Sequence, residues 1–248
     1  MRSLCSCSVA VVLLAGCGSQ AVHRPDPFAY DASRPTAVRD EGVALSGPKV
    51  AVHVVSFRGA ARRVNAFLAV PRAAGRHPAV LLLHGSGGTR EDLLLPAIEL
   101  ATRGAVAMTI SQPNETQTFR PLVVNARRAL DVLAARRDVD PMKLGVVGFS
   151  LGGQTAAVLA GDEPRLKTVG ILSGRGGPVP TYWLAQARAP LFLQAGRSDT
   201  QVGRRQLEQL IAAAPGEPRV RWYAAAHGLN RRAFEDQVAW QADQLGLR

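Results

Sequence analysis

Cysteine is nearly absent from this chain of 248 residues. The three cysteines are Cys5, Cys7 and Cys17, and none lies beyond residue 17. A fold built from later residues therefore has no thiol for a disulfide bond. No cluster of cysteine and histidine has the spacing of a zinc site. We predict no metal ion and no cofactor.

Aromatic residues are also few, at 5% of the chain, although the formal net charge is +11. A basic chain can bind nucleic acids, but such proteins usually add aromatic side chains that stack on bases. Here the arginines occur as scattered pairs with no aromatic residues between them. We therefore predict no binding of nucleic acids. A weak attraction to anionic lipids or cell-wall polymers stays open.

No hydrophobic run is long enough to cross a membrane as a helix. The apolar run at residues 9–15 follows a basic start at Arg2 and leads into Leu14-Ala15-Gly16-Cys17. This arrangement resembles a bacterial lipoprotein signal peptide. The resemblance implies cleavage before Cys17 and a diacylglycerol on its thiol. An ordinary secretory signal, in which Cys17 is incidental, is the alternative.

Strand-like and helix-like segments alternate along residues 49–248. Two strand-like segments, 50–57 and 64–70, flank a turn at Arg58-Gly59 and are expected to pair antiparallel. The alternation that follows predicts a mostly parallel sheet with helices on both faces. In such sheets the functional site lies outside the carboxyl ends of the strands.

One predicted strand-to-helix junction carries the sequence Gly148-Phe149-Ser150-Leu151-Gly152. The two glycines allow the turn to bring strand and helix close together, where larger side chains would clash. A serine in this turn presents its hydroxyl at the end of the sheet. The backbone N–H of Leu151 lies at the helix N-terminus, where negative charge is stabilised.

Three other polar motifs follow predicted strands. The loop 84–88 (His-Gly-Ser-Gly-Gly) follows an apolar run, Asp199 follows the run 190–196, and His227 follows the run 219–224. Serine, aspartate and histidine therefore occur in the chain order of the α/β-hydrolase fold rather than that of chymotrypsin or subtilisin. Histidine can take the proton of a serine hydroxyl, and aspartate can hold the imidazole in the right tautomer.

In these motifs the chain resembles the α/β-hydrolase superfamily, and within it the small esterases similar to the dienelactone hydrolase group. The resemblance covers about residues 49–248. It implies an α/β fold without a cap domain, and catalytic roles for Ser150, Asp199 and His227. The N–H groups of Ser86 and Leu151 are expected to form the oxyanion hole. Dienelactone hydrolases proper use cysteine as nucleophile, so Ser150 favours cleavage of esters over lactones.

Each assignment has an alternative. Asp199 could instead cap the following helix. Asp138 and Asp162 are weaker candidates for the orienting carboxylate. Asp138 lies in a loop before a predicted strand, and Asp162 lies after a predicted helix. Four other histidines compete with His227, in the N-terminal segment, near early strands or in the loop 84–88: His23, His53, His77 and His84.

The segment 173–189 stands where many α/β-hydrolases insert a cap, but it is too short for a helical domain. We therefore predict an open site, with Tyr182 and Trp183 as candidate substrate-binding walls. Simple packing beneath a loop is the alternative for both.

Together these observations predict three regions: a signal peptide at 1–16, a lipid-anchored tether at 17–48 and a catalytic domain at 49–248. The expected function is a serine esterase that cleaves small carboxylic esters. The alternatives are a peptidase similar to prolyl oligopeptidases and a non-catalytic surface lipoprotein that uses the fold for binding. The expected location is a membrane of the bacterial cell envelope, outside the cytoplasm. The outer membrane is favoured, since Gly18 is not the aspartate associated with inner-membrane retention.

Overall fold

A computed structural model describes residues 26–113 and 118–247. Within these ranges nine strands form one sheet. The strands are β1 (Arg39–Ser46), β2 (Val50–Arg58), β3 (Arg63–Pro71), β4 (His77–Leu83), β5 (Val106–Ile110), β6 (Val139–Phe149), β7 (Leu166–Leu172), β8 (Leu191–Gly196) and β9 (Arg219–Tyr223). The helices are α1 (Leu94–Thr102), α2 (Arg120–Ala134), α3 (Leu151–Asp162), α4 (Pro178–Leu184), α5 (Arg204–Ala213) and α6 (Arg231–Leu245).

The order of the strands across the sheet is β1-β2-β3-β5-β4-β6-β7-β8-β9. Strands β4 to β9 are parallel to one another, whereas β1, β2 and β3 add an antiparallel edge. This is the α/β-hydrolase architecture that the sequence predicts, including the antiparallel pair β2 and β3. All parallel strands end at one edge of the sheet, which we call the site edge.

Two apolar layers cover the sheet. The side chains of β4 alternate between them: Leu81 and Leu83 join the layer under α2, α3 and α5, whereas Val80 and Leu82 join the layer under α1 and α6. This alternation is the period of two that a strand imposes on its side chains. Both faces of the central strands are buried, which explains their continuous hydrophobic runs.

The structure corrects the predicted tether for residues 26–48. Strand β1 pairs with β2, and Phe28 is 4% exposed within the core. We expected a linker because this segment is rich in serine, glycine, proline and charged residues. Every residue of β1 is exposed, so this edge strand shows no hydrophobic alternation in the sequence. Residues 17–25 and the predicted signal peptide lie outside the described residues. None of the described helices is long and apolar enough to span a membrane.

Two further boundaries differ from the prediction. The segment 173–189 contains α4, which we expected to be a loop. The apolar spacing of residues 89–103 predicts a helix from residue 89, but α1 begins at Leu94 after two turns. In both places glycine, proline or a polar loop sequence weakens the periodic signal, and tertiary packing decides where the helix begins.

Candidate active site

Ser150 lies at the turn between β6 and α3, at the site edge. Its backbone angles are φ 54° and ψ −112°, a conformation that a residue with a side chain rarely adopts. A Cβ atom at Gly148 would collide with the backbone oxygen of Gly152, and one at Gly152 would collide with that of Leu83. The glycines therefore permit the close contact that holds Ser150 in this strained turn.

The structure brings Ser150, Asp199 and His227 into contact. His227 Nε2 lies 2.9 Å from Ser150 Oγ, and His227 Nδ1 lies 2.8 Å from Asp199 Oδ2. Because a carboxylate accepts the Nδ1 proton, the lone pair of Nε2 faces the serine hydroxyl. The arrangement can accept the hydroxyl proton as Ser150 attacks a carbonyl carbon.

The carboxylate of Asp199 is also held by the backbone. Asp199 Oδ1 accepts N–H groups of Gln201 at 2.9 Å and Val202 at 2.8 Å, and the side chain is 1% exposed. Helix α5 has Gly203 at its N-cap, so Asp199 does not cap that helix. It instead fixes the loop that leads to it. Each carboxylate oxygen has a partner, which lowers the cost of burying the charge.

Ser173 is a residue of the site that sequence reasoning missed. It is fully buried at the end of β7, and its φ is 46°. Ser173 Oγ donates to the backbone oxygen of His227 at 2.9 Å, and its N–H donates to Gln194 O at 2.8 Å. The hydroxyl thus holds the loop that carries the imidazole. Its position directly after a predicted strand was the signal that could have identified it.

The loop after β4 packs directly on the serine. A Cβ atom at Gly85 would lie 3.1 Å from Ser150 Cβ. His84 Nε2 accepts the N–H of Gln112 at 2.8 Å, so its proton is on Nδ1 and is donated to Gly85 O at 2.6 Å. The buried His84 therefore stabilises the loop and has no contact with Ser150 that would make it the base.

Two backbone N–H groups were predicted to bind an oxyanion. Leu151 is the first residue of α3, and Ser86 is exposed at the tip of the loop after β4. Among the described residues, neither N–H donates a hydrogen bond to another group. Both therefore remain free to donate to a ligand, and the N–H of Leu151 lies at a helix N-terminus.

The predicted wall residues Tyr182 and Trp183 lie away from the site. A Cβ atom at Gly161 would collide with Trp183 O, and Gly161 is ten residues or about 15 Å beyond Leu151 along α3. Trp183 packs its ring on Phe28 at 5.5 Å, and Tyr182 is 55% exposed. The prediction was wrong because α4 follows α3 away from the serine. Packing, the alternative we considered, describes Trp183.

An aromatic side chain that the sequence analysis did not single out lies beside the imidazole. The ring of Phe149 is 5.2 Å from that of His227, at an angle of 46°. It also approaches the loop after β4, because a Cβ atom at Gly85 would lie 3.1 Å from Phe149 Cδ1. Phe149 is the second residue of the Gly-x-Ser-x-Gly sequence, and its side chain forms one wall of the site.

The competing candidates lie elsewhere. His53 contacts Asp40 at 3.0 Å on the antiparallel edge, and His77 lies between two backbone carbonyl oxygens. His23 lies outside the described residues. Asp138 forms two hydrogen bonds with the guanidinium of Arg136. Within the ranges 26–113 and 118–247, no group of three or more His, Cys, Asp or Glu side chains could hold a metal ion.

Asp162 is buried at the far end of α3. Its side chain is 4% exposed, and Oδ2 faces Arg127 at 3.3 Å without a hydrogen bond. Burial raises the pKa of Asp162 to about 6, although the charge of Arg127 opposes the shift. This carboxylate lies beside the docked segment 26–30, because Arg127 also contacts Asp26 at 3.1 Å.

Residues 64–246 match the model of the dienelactone hydrolase family. The chain belongs to this family. A relative, the carboxymethylenebutenolidase of Rhodococcus opacus, is 31% identical over 129 residues, which cover 44% of this chain and 50% of that protein. The matched parts of the curated relatives range from 33% to 68% of their length, so the chain spans about half of them.

Solved structures of the dienelactone hydrolase family and of other esterases share this fold. The acetyl xylan esterase from Paenibacillus sp. R4 superposes with a TM-score of 0.73 at 16% identity, covering 85% of this chain and 90% of that one. The dienelactone hydrolase from Anabaena variabilis superposes with a TM-score of 0.68 at 23% identity, covering 81% and 100%. At these identities the likeness describes the architecture alone.

Proposed function

We propose that this member of the dienelactone hydrolase family cleaves small carboxylic esters through an acyl-enzyme on Ser150. The observation that carries the proposal is the hydrogen-bonded series from Asp199 through His227 to Ser150. Serine is a weak nucleophile at its ordinary pKa and needs a base within hydrogen-bond reach. A relative from Nocardia uniformis that is named as an esterase, 30% identical over 183 residues, supports the same class of reaction.

The reaction has two balanced steps. Ser150 Oγ attacks the ester carbon while His227 Nε2 takes the hydroxyl proton. The bond to the alcohol oxygen then breaks, and the alcohol leaves with that proton. Water next attacks the acyl carbon, gives its proton to His227, and releases the carboxylic acid as the proton returns to Ser150. Asp199 stabilises the imidazolium that forms in each step.

The tetrahedral intermediates place a negative charge on the former carbonyl oxygen. The N–H groups of Ser86 and Leu151 are our candidates for stabilising that charge. Donors that are already held in place stabilise this charge more strongly than water does, because they need not reorganise as the charge develops. The tight contact between Gly85 and Ser150 brings the Ser86 loop to the nucleophile.

We propose a preference for short acyl groups. The described helix between β7 and β8, α4, packs on α3 and α5 rather than above Ser150. Each buried methylene contributes about 0.8 kcal/mol, but only where a wall exists to bury it. We therefore expect kcat/KM to be greatest for acetyl to butyryl esters and to fall beyond about six carbons.

A series of p-nitrophenyl esters of increasing chain length tests both parts. We expect rapid hydrolysis of the acetyl to butyryl esters, slower hydrolysis of a matched p-nitroanilide, and no activity in Ser150→Ala. Activity of Ser150→Ala within about tenfold of the parent would overturn the nucleophile, since loss of a triad member leaves only residual catalysis. A kcat/KM that rises steadily up to the decanoyl ester would contradict the preference for short acyl groups and would indicate a lipase instead.

We also propose that a diacylglycerol on Cys17 anchors the domain to a membrane of the cell envelope, with the outer membrane favoured. The support is Leu14-Ala15-Gly16-Cys17 directly after an apolar run. Cys17→Ser should block processing and move the protein from the membrane to a soluble fraction. Normal secretion of the unchanged protein without fatty-acid labelling would contradict the anchor.

A further inference from the structure

We infer that the exposed face of α4 docks on the phospholipid bilayer that holds Cys17. The inference rests on the proposed lipid anchor and goes beyond it, since an anchor alone does not fix how a domain lies on a membrane. Val179 is 40% exposed and Tyr182 is 55% exposed, and they are two of the seven large apolar side chains exposed among the described residues. They lie three residues apart on one helix and therefore project from the same side of it.

The length of chain between the anchor and the fold decides which surface can reach the bilayer. Eight residues, 18–25, lie between Cys17 and Asp26. Fully extended, such a segment spans at most about 32 Å. A domain of this size has a radius of gyration of about 17 Å and is about 44 Å across. The segment is too short to pass around the domain, so the bilayer lies on the side that carries Asp26.

The segment that begins at Asp26 lies against α2 and α4. Asp26 Oδ2 is 3.1 Å from Arg127 of α2. The ring of Phe28 packs on Trp183 at 5.5 Å, and Trp183 packs edge to face on Tyr182 at 5.5 Å. Three aromatic rings in contact thus join the segment that leads from the anchor to the exposed face of α4.

The side chains of this face suit the boundary between lipid and water. Tyrosine and tryptophan combine an apolar ring with a polar tip, and both are enriched at that boundary in membrane proteins. Val179 adds an aliphatic side chain beside them. A short linker also holds its two ends at a local concentration on the order of millimolar. A contact too weak to bind a free domain is therefore enough to dock an anchored one.

The charge around α4 selects an anionic surface. Residues 164–190 include four basic side chains and no acidic one. Arg175 and Arg188, on either side of α4, are both exposed. Anionic headgroups attract basic residues that lie within a Debye length of them. Three carboxylates close by do not cancel this charge, because each lies within 3.3 Å of an arginine nitrogen: Asp26, Asp162 and Glu163.

Docking through α4 leaves the nucleophile open to water. The backbone oxygen of Trp183 lies beside Gly161, near the end of α3. Ser150 precedes the first residue of the same helix, about 16 Å away. The ester substrate therefore reaches Ser150 from the aqueous side, while the opposite end of α3 lies near the lipid.

Site-directed labels test the inference. On the proposed processing, Cys17 carries lipid and the other two cysteines are removed, so a cysteine placed on the domain is the sole free thiol. We would label Val179→Cys with nitrobenzoxadiazole and reconstitute the lipidated protein into vesicles of phosphatidylethanolamine and phosphatidylglycerol that contain a nitroxide-labelled phospholipid. Tyr182→Cys gives a second, independent position. Leu95→Cys is the matched control, because Leu95 is 79% exposed on α1, on the other face of the sheet.

We expect the labels at 179 and 182 to be quenched about threefold more strongly than the label at 95, because apolar side chains of docked surfaces enter the headgroup boundary by about 5–10 Å. Arg188→Gln should lower the ratio of docked to undocked domain about fivefold, since an anionic surface attracts each basic residue near it. Lys49→Gln removes the same charge from an exposed position beside α1 and should leave the ratio unchanged.

Two results would overturn the inference while leaving the anchor in place. One is quenching at 179 and 182 that does not exceed quenching at 95 in protein that floats with the vesicles. The other is an equal effect of Arg188→Gln and Lys49→Gln. Protein that does not float with the vesicles in a density gradient would instead overturn the anchor, and the docking with it.

Discussion

Two buried aspartates, Asp199 at the site edge and Asp162 at the far end of α3, show how differently the fold treats the same side chain. Asp199 accepts two backbone N–H groups and the proton of His227, all within 2.9 Å. Asp162 faces Arg127 at 3.3 Å and has no hydrogen bond at Oδ2. Both are almost inaccessible, so burial alone does not distinguish them.

The difference lies in what each carboxylate contacts. Charged groups are retained inside proteins when their hydrogen-bonding capacity is met. Asp199 meets this condition and can act on His227 as a fixed anion. Asp162 does not, and its pKa rises to about 6 because burial disfavours its charge. The raised pKa of Asp162 therefore reflects a buried carboxylate that lacks hydrogen bonds, and it is not a sign of catalysis.

The sharpest test of this contrast is a pair of identical substitutions. Asp199→Asn should lower kcat for p-nitrophenyl acetate about 10³-fold to 10⁴-fold, because the amide leaves His227 in the wrong tautomer. Asp162→Asn should leave kcat within about twofold, since Asp162 lies about 18 Å from Ser150 along α3. Equal losses in the two variants would contradict the roles assigned to these residues.

A second test measures the stability of the region far from the site, where the segment 26–30 packs on α4. Phe28→Ala removes the ring that packs on Trp183, and large-to-small changes of a buried phenylalanine cost about 3 to 5 kcal/mol. We expect a lower midpoint in urea unfolding and an unchanged KM at 25 °C. Tyr182→Ala, at an exposed ring, is the control and should unfold like the parent. A large rise in KM in either variant would indicate that the aromatic residues around α4 contact the substrate.

The dependence of stability on pH isolates Asp162. Its ordinary pKa is 3.8, and in the folded protein it is raised to about 6. The folded state thus holds a proton that the unfolded state loses, so this group makes stability fall as pH rises from about 4 to 6. The loss is at most about 3 kcal/mol above pH 6.

The measurement is the difference in unfolding free energy between the parent and Asp162→Asn, at pH 4 and pH 7.5. We expect the variant to gain stability relative to the parent as pH rises, because the amide carries no charge to bury. A difference that does not change with pH would show that Asp162 is satisfied by partners other than Arg127.

The smallest expected effect concerns Ser173, which positions the His227 loop. Ser173→Ala removes one hydrogen bond to a backbone carbonyl, and such a bond contributes about 1 kcal/mol. We expect kcat to fall about fivefold to tenfold with little change in KM, and Ser173→Thr to recover part of the loss. A change in Tm with kcat intact would limit Ser173 to a structural role.

The parallel part of the fold follows from the sequence because its strands are buried on both faces and read as continuous apolar runs. Strand β1 could not be predicted, since all its residues are exposed and its pairing depends on β2. Helix α4 was missed because its sequence contains prolines and starts after glycine. Both elements depend on partners distant in sequence rather than on a local period.

The residues of the candidate site likewise fall into those that the sequence predicts and those that it does not. Ser150, Asp199 and His227 follow buried strands, so the topology predicts their common edge before any distance is known. Phe149 and Ser173 act through packing and one backbone hydrogen bond, which no residue pattern specifies. Tyr182 and Trp183 were misplaced because the direction of α4 was unknown. Charge pairing around Asp162 likewise depends on the docked segment 26–30.

Labelling with diisopropyl fluorophosphate tests most directly whether Ser150 is the nucleophile. Mass spectrometry of the digested protein should find one adduct per chain, on the peptide that contains Ser150, with p-nitrophenyl acetate hydrolysis lost in parallel. Asp162→Asn should be labelled like the parent, whereas Asp199→Asn should be labelled far more slowly. An active protein that takes up no label, or takes it up on another serine, would contradict the account.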